Sequence, residues 1–256
     1  MRTIFTFAAL LLLGADQLRA TAILAFRPND SRIILAADSA VTGIEPDGTM
    51  RYRGGECKLA QAGKWWLVSG ALESAKGLSS VTRTVTQAAT PESSMIGALS
   101  AIHRAYESTI LPVLLRLDPY FTTEFKVDRP LVEVLVAGVD GGVLTLGYYG
   151  ALLKSQKPRE LVAGGLICPG AFCDSPGRVL HGASVGGVIP DLLAKQPRPA
   201  WLDRADASAA RRLIQMQIDK TPQYVAGPID VLEITAGGAR WIDRDARSAC
   251  SVLTGG

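Results

Sequence analysis

The sequence predicts an α+β fold in which two β-sheets carry helices on their outer faces. Short apolar runs come in pairs separated by turn residues, and stretches with helical spacing separate the early pairs from the later ones. The length of 256 residues lies within the range of one domain. We therefore expect a leader (signal peptide) over residues 1–20, followed by a single domain over residues 21–256.

The first four strands are expected as two hairpins. Residues 22–26 and 32–37 are apolar and flank the turn sequence Arg-Pro-Asn-Asp-Ser. A second pair of apolar runs, 57–62 and 65–68, is broken at Gly63. Both pairs are typical of antiparallel strands joined by short connections.

Helices are expected next. From Ser69 to Val85 apolar residues recur near helical spacing, and a longer helical stretch follows Pro91 over residues 93–117. In the second half of the chain, two strands are expected first, then two helices, then two more strands. They are strands 131–138 and 142–149, helices 185–194 and 205–220, and a closing hairpin of strands 229–235 and 239–242.

A cleavable leader is predicted at the N-terminus. Arg2 provides a positive start, residues 3–15 are almost wholly apolar, and a polar stretch ends at Ala20. The apolar run is too short for a membrane span, which takes about 20 residues. Cleavage after Ala20 would make Thr21 the first residue, whereas cleavage after Ala22 would remove it. Self-cleavage of the Ala20–Thr21 bond is a third route.

An N-terminal Thr21 would carry a nucleophilic hydroxyl and a free α-amine on one residue. The ordinary pKa of an α-amine is about 7.7–8.0, which suits a general base at neutral pH. N-terminal threonines act as nucleophiles with their own amine as base. The cut after Ala20 therefore predicts an amide hydrolase.

The composition argues against several other functions. Lys and Arg total 27 against 24 Asp and Glu, and no basic run favours nucleic acid. The four cysteines allow three disulfide pairings, of which Cys168–Cys173 is the most local. Their spacing and the presence of only two histidines disfavour a zinc site. No metal and no cofactor is expected.

Seven short segments follow one another in a recognisable order. They are Thr21-Ala-Ile-Leu-Ala-Phe, Ile34-Leu-Ala-Ala-Asp38-Ser39, Cys57-Lys58-Leu59, Val68-Ser69-Gly70-Ala71, Ala137-Gly-Val-Asp-Gly-Gly142, Gly182-Ala-Ser184 and Gly227-Pro-Ile-Asp-Val-Leu232. In this order they resemble the proteasome β-type branch of the N-terminal-nucleophile hydrolases, including its bacterial ring protease relatives. The resemblance covers nearly the whole chain after the leader, and it implies a four-layer αββα sandwich.

The resemblance also implies a role for each site residue. Thr21 would be nucleophile and base. Lys58, oriented by Asp38, would polarise the hydroxyl and disfavour protonation of the amine. A backbone N–H near Gly70 would donate to the oxyanion, a contact worth roughly 10²–10³-fold in rate. Ser184 would help to hold the amine.

Alternatives remain open for the activity. The family's late aspartate and serine do not appear in the matching stretch, residues 222–227, so support would come from elsewhere, such as Thr221 or Gln223, or the site would be weak or inactive. A catalytically silent proteasome-like subunit with a binding or assembly role is therefore the main alternative, and an unrelated exported binding protein is a further one. Ser184 can also simply begin a helix.

Two other sequence patterns compete with this site. Residues 182–186 match the Gly-x-Ser-x-Gly nucleophile elbow of α/β-hydrolases. The α/β-hydrolase fold needs its catalytic histidine after the serine in the chain. His103 and His181 both precede Ser184, so structural roles are expected for them. Cys57 beside Lys58 is expected in a disulfide or as a buried thiol rather than as a reactive thiol.

The sequence as a whole predicts an exported N-terminal-threonine hydrolase, periplasmic or secreted. Its partner would be a peptide or small amide substrate. No nucleic acid is expected as a partner, and no membrane once the leader is removed. A homo-oligomer stays open.

Overall fold

The computed structural model describes residues 21–44, 50–55, 57–71, 81–112, 130–156, 159–174, 177–184, 188–222 and 225–243. The expected leader, residues 1–20, lies outside these ranges. Within them the chain forms two five-stranded antiparallel sheets, a separate two-stranded ribbon and five α-helices. The predicted α+β class is confirmed.

The first sheet contains the strand that follows Thr21. Its spatial order is β10 (Val179–Ser184), β1 (Ala22–Asn29), β2 (Arg32–Asp38), β11 (Ile229–Thr235) and β12 (Gly238–Asp243), and all neighbours are antiparallel. Strand β1 thus lies inside the sheet, which explains why residues 22–26 are apolar at every position: a strand buried on both faces needs no polar alternation.

The second sheet runs in simple sequence order. It consists of β5 (Leu59–Ala62), β6 (Trp65–Ala71), β7 (Pro130–Asp140), β8 (Val143–Gln156) and β9 (Arg159–Cys168). Strands β3 (Ala40–Ile44) and β4 (Met50–Gly55) pair only with each other among the described residues.

The helices are divided between the two sheets. Helix α1 (Val81–Ala89) and helix α2 (Met95–Ala105), which continues into a π-helical turn (Tyr106–Ile110), precede β7 in the chain. Helices α3 (Val188–Ala194), α4 (Ala200–Asp203) and α5 (Ala207–Lys220) precede β11. Two starts are capped by side chains: Ser94 Oγ accepts from Gly97 N at 3.1 Å, and Asp206 Oδ1 accepts from Ala209 N at 2.8 Å.

Buried apolar side chains form three clusters. Leu24 and Phe26 of β1 belong to the cluster that includes α3, α4 and α5. Ile23 and Ala25, on the opposite face of the same strand, belong to a cluster shared by the two sheets. The third cluster contains the outward face of the second sheet together with α1 and α2.

Strand β1 is also held by a buried arginine near its far end. Arg27 is completely buried, and its Nε and Nη2 donate to the carbonyl of Leu144 on β8 at 3.3 and 3.2 Å. Its guanidinium also contacts the carbonyl of Gly177 and pairs with Asp30 at 2.7 Å. These bonds connect the first sheet to the second, because Leu144 belongs to the latter.

Several predicted elements have different boundaries, and one is wrong at its start. Residues 69–71 belong to β6 and do not begin a helix, because they pair with β7 over Val132–Val134. Helix α1 starts only at Val81, and positions 72–80 lie outside the described residues. The expected helix 93–117 starts at Met95, with 113–117 outside the described ranges. The expected helix 185–194 starts at Val188, with 185–187 likewise outside.

Four strands and a short helix were not predicted. Strands β9 and β10 lie at sheet edges and are only partly buried; Gly164-Gly165 interrupts the apolar residues of β9 and Gly182 interrupts β10, and glycine is unfavourable inside strands. Strands β3 and β4 form a ribbon outside both large sheets. Helix α4 is a single turn of four residues that lies between the two expected helices.

The cysteine predictions divide into two outcomes. Cys168 and Cys173, the most local pair, form a disulfide. Cys57 is also disulfide-bonded, so it is not a reactive thiol. Cys250 lies outside the described residues.

Candidate active site at the start of strand β1

Strand pairing brings the sequence-predicted residues to one end of the molecule. Because β1 is antiparallel to both neighbours, its start lies beside the ends of β2 and β10. Ile23 is paired with Ala37, one residue before Asp38, and Ala22 is paired with Ser184. Thr21, immediately before β1, therefore lies near the last residues of both strands.

Asp38 and Lys58 form a buried ion pair. Lys58 Nζ donates to Asp38 Oδ1 at 2.7 Å, with side-chain exposures of 8% and 0%. Lys58 lies just before β5 and Asp38 ends β2, so the pair joins the two sheets. A charged pair so far from water needs further hydrogen bonds to be tolerated.

Two backbone amides supply those bonds to the Asp38 carboxylate. Ala22 N donates to Oδ1 at 2.7 Å, and Ala40 N donates to Oδ2 at 3.0 Å. Burial raises the pKa of Asp38 above its ordinary value, while the Lys58 ammonium and these two N–H groups act in the opposite direction. The bond from Ala22 ties the residue next to Thr21 directly to the ion pair.

Gly70 lies against the side chain of Thr21. A Cβ atom built on Gly70 would be 3.1 Å from Thr21 Cγ2 and 3.1 Å from Ile23 Cδ1. The absence of a side chain at position 70 is thus what allows β6 to approach the start of β1 so closely. Ser69 N, next to Gly70, donates to the carbonyl of Lys58 at 3.2 Å, which links the Gly70 segment to the ion pair.

Ser184 is at the same end but has a hydrogen bond to a helix. It is half-buried and opposite Ala22, and its Oγ accepts from Ile189 N in the first turn of α3 at 3.4 Å. This contact agrees with the alternative in which the serine begins a helix. The position of Ser184 beside Ala22 agrees equally with a role near the Thr21 amine.

Two further contacts shape the region around Asp38. Ser39, completely buried, uses both its backbone N and its Oγ to donate to the carbonyl of Pro228 at 3.1 Å. Thr221, suggested as a replacement for the family's late support, instead bonds within α5: its Oγ1 donates to the Gln217 carbonyl at 3.0 Å and accepts from Gln217 Nε2 at 2.7 Å. Gln223 lies outside the described residues.

Each histidine has a polar contact outside this ion pair. His103 Nδ1 is 3.2 Å from Tyr149 Oη, beside a cavity of about 420 Å³ between α2 and β9 that shares no residue with the candidate site. His181 Nε2 is 3.3 Å from Glu133 Oε1. Glu133 was missed in the sequence, although a single glutamate inside the apolar run Leu-Val-Glu-Val-Leu-Val is a signal that could have identified it.

In the described ranges no three or more His, Cys, Asp or Glu residues come together in a way that could hold a metal ion. Among the helices of those same ranges, none is both long and apolar enough to cross a membrane.

The arrangement suits acyl transfer chemically. At one location it brings together the hydroxyl-bearing Thr21, the buried Lys58 ammonium paired with Asp38, and Gly70, whose backbone other atoms can approach closely. The catalytic roles of Thr21, Asp38, Lys58, Gly70 and Ser184 remain predictions, because a role is tested by reactivity and not by proximity.

Comparisons with known proteins bear on the fold. No family model and no curated protein matches the chain. One similar solved structure is Anbu (ancestral beta-subunit) from Yersinia bercovieri, with 14% identity, 88% of each chain covered and a TM-score of 0.51. Another is Anbu from Hyphomicrobium sp. strain MC1, with 12% identity, 88% of each chain covered and a TM-score of 0.49.

These findings correct the family assignment. The expected membership of the proteasome β-type branch is wrong as stated, because no family model supports it and the similar structure from Yersinia bercovieri is an Anbu protein at only 14% identity. At 14% identity the Yersinia structure shows a likeness of fold alone. The chain has a proteasome-like fold of the kind seen in Anbu.

Proposed function

We propose that the protein is an exported hydrolase that uses an N-terminal Thr21 to cleave amide bonds, with peptides or small amides as substrates. The single observation that carries this proposal is the buried Asp38–Lys58 ion pair, bonded through Asp38 to the backbone N–H of Ala22. A buried ion pair is costly to maintain, so its position next to the predicted nucleophile favours a chemical role.

In this proposal Thr21 Oγ1 attacks the carbonyl carbon of the scissile amide, and the Thr21 α-amine takes the hydroxyl proton. The resulting oxyanion is stabilised by a backbone N–H at Gly70. The tetrahedral intermediate then collapses and expels the leaving amine, which receives the proton from the α-ammonium. Water attacks the acyl ester in the same manner and restores the threonine.

Lys58 acts through its charge. An ammonium near the α-amine disfavours protonation of that amine and keeps it available as a base. Asp38 keeps Lys58 in place, and the N–H of Ala22 keeps Asp38 in place, so the base and its electrostatic support are connected by two hydrogen bonds of 2.7 Å.

The proposal extends to architecture and location. We propose a four-layer αββα sandwich in a single domain over residues 21–256, supported by the three apolar clusters, one shared by the two sheets and one on the helical side of each. Export to the periplasm or medium is supported by the leader-like residues 1–20 and by the disulfide Cys168–Cys173.

A catalytically silent subunit with a binding or assembly role, as one member of a homo-oligomer, is the second candidate. Specific contacts favour it: Ser184 Oγ accepts from helix α3, and Thr221 bonds with Gln217. Neither contact supplies the late acidic or hydroxyl support that an active family member would have around its threonine.

One experiment distinguishes these candidates. Protein exported by its own leader is analysed by intact mass spectrometry and Edman sequencing, and is then incubated with threonine-directed electrophiles and a panel of fluorogenic peptides and acyl amides. The hydrolase proposal expects Thr21 as first residue and one covalent adduct on it. Ile23 as first residue, or a Thr21 terminus that neither labels nor hydrolyses anything, would overturn it.

A further inference from the structure

A buried acidic group lies one strand away from the candidate site and takes no part in the proposed chemistry. Glu133 is on β7, directly opposite Gly70 on β6, and only 8% of its side chain is exposed. Its Oε1 accepts from Tyr148 Oη and from His181 Nε2, both at 3.3 Å. A carboxylate buried within an apolar strand calls for a physical explanation.

Strand register shows which way this group faces. Residues directly opposite each other in an antiparallel pair share a face. Gly70 faces Ile23, which belongs to the cluster between the sheets, so Glu133 faces that space too. His181 is opposite Ala25, another member of the same cluster, and therefore faces it from the other side.

The Glu133–His181 contact consequently connects the two sheets close to Thr21. A Cβ on Gly70 would be 3.1 Å from Thr21 Cγ2, and opposite Cβ atoms in such a pair lie about 4.5–5.5 Å apart. Glu133 Cβ is therefore within about 9 Å of Thr21 Cγ2. Aromatic contacts support the link, with Tyr148 and His181 ring centroids 4.8 Å apart.

We propose that Glu133 is a positioning residue, an inference that rests on the proposed function. By bonding to Tyr148 on its own sheet and to His181 on the first sheet, it clamps the two sheets together beside Gly70. The clamp fixes the distance between Thr21 and the strand whose N–H stabilises the oxyanion. Such a role fits catalysis, because a displacement of about 1 Å in a reacting group can cost roughly 10²-fold in rate.

The polarity of the clamp suits this purpose. Apolar contacts between sheets are not directional and allow small sliding, whereas hydrogen bonds to one carboxylate oxygen define a distance and an angle. The Asp38–Lys58 pair also connects the two sheets near this end. One link alone would leave the sheets free to rotate about it, whereas the Asp38–Lys58 and Glu133–His181 links together would oppose that rotation.

The test compares Glu133→Leu, Glu133→Gln and a matched control, Glu233→Leu. Glutamine keeps an acceptor oxygen for Tyr148 and His181, whereas leucine removes it. Glu233 also forms an ion pair, with Arg240 Nη2 at 2.8 Å, but that pair lies within the first sheet between β11 and β12. The readouts are the rate of Thr21 labelling, kcat and KM, and amide hydrogen exchange of residues 65–71.

The proposal expects Glu133→Leu to lower kcat and the labelling rate 10- to 100-fold with KM changed less than about threefold. Exchange over residues 65–71 should be faster, Glu133→Gln should stay within about threefold of wild type, and Glu233→Leu should change none of these. If Glu133→Leu matches Glu233→Leu in exchange and labelling, the proposal is wrong.

Two further outcomes are assigned in advance. If wild-type protein beginning at Thr21 does not label, the proposed function fails, while the exchange comparison still decides whether Glu133 clamps the sheets. If Glu133→Leu does not fold, Tyr148→Phe removes one of the two donors without changing the ring. It should then slow labelling about two- to fivefold, and an unchanged labelling rate and unchanged exchange would overturn the clamp.

Discussion

Lys58 Nζ and Asp38 Oδ1 are 2.7 Å apart, although the two residues come from different sheets. The same carboxylate oxygen accepts from Ala22 N at 2.7 Å. The backbone N–H of Ala22, the first residue of β1, and the ammonium of Lys58, just before β5, thus donate to the same oxygen atom. This geometry makes the position of Thr21 depend on an ion pair whose members can be changed one at a time.

Substitution of Thr21 tests the nucleophile. Thr21→Ala should reduce turnover to background, a loss of roughly 10³-fold or more, because the hydroxyl is the attacking group. Thr21→Ser should keep part of the activity, since it retains both hydroxyl and α-amine. Thr90→Ala, at an exposed threonine after α1, is the control and should retain wild-type rates. Fluorogenic assays on N-terminally sequenced protein measure all three, and equal rates for Thr21→Ala and wild type would exclude the mechanism.

Removal of Lys58 should damage both activity and stability. Lys58→Ala leaves the buried Asp38 carboxylate without its counter-ion, which costs about 3–5 kcal/mol in free energy of unfolding. Activity should fall nearly as far as in Thr21→Ala, because residues that act as a unit are not additive. Lys64→Ala is the matched control: Lys64 is 42% exposed and 4.0 Å from Asp140, so its loss should cost about 0–1 kcal/mol. Urea unfolding measures both, and equal costs would show that the Asp38–Lys58 pair contributes nothing specific.

The acid titration of Asp38 can be followed through its two backbone donors. Burial raises the pKa of Asp38 above 3.8. The folded protein therefore keeps the carboxyl proton of Asp38 at pH values where the unfolded chain has released it. The contribution of Asp38 to the free energy of unfolding is therefore complete below pH 3.8 and is lost as the pH rises through the folded pKa. In ¹⁵N-alanine-labelled protein the amide signals of Ala22 and Ala40 should titrate together with a midpoint above 3.8. Asp38→Asn should abolish that transition, and a midpoint below 3.8 in the wild type would contradict the expected direction.

A side chain at position 70 should interfere with Thr21. In Gly70→Ala the new methyl group would be 3.1 Å from both Thr21 Cγ2 and Ile23 Cδ1, so these atoms must move by a few tenths of an ångström. We expect a loss of stability of about 1–3 kcal/mol and a larger proportional loss of labelling at Thr21. Gly164→Ala on β9 is the control, because its Cβ would meet nothing within 4 Å. If both variants label Thr21 at wild-type rate, the close approach of β6 has no part in catalysis.

The sequence predicted the hairpins well because their turns are local. The first hairpin turns at Asp30 and Ser31, and the last pairs Ile229–Thr235 with Gly238–Asp243 across a glycine turn. By contrast, Ser69–Ala71 show helical spacing but are strand, because pairing with β7 overrides a short local preference. Strand β9 was not identified because Gly164-Gly165 interrupts its apolar residues, and glycine is depleted in strands.

The candidate site was predictable in part. Asp38 and Lys58 lie in two of the recognisable segments, and the expectation that they meet came from the resemblance of those segments in family order. The contact of Gly70 with Thr21 depends on how the two sheets face each other, and spacing along the chain carries no such information. Glu133 was overlooked because its partners, Tyr148 and His181, are 15 and 48 residues away.

The buried Arg27 bears on whether strand β1 can take its place in the sheet while residues 1–20 are still attached. Arg27 holds one end of the strand to Leu144, and the bond from Ala22 to Asp38 holds the other. Neither attachment uses a free amino group at Thr21, so both can form while residues 1–20 are still attached. Under the proposed function, the strand can therefore take its final place before Thr21 becomes the first residue.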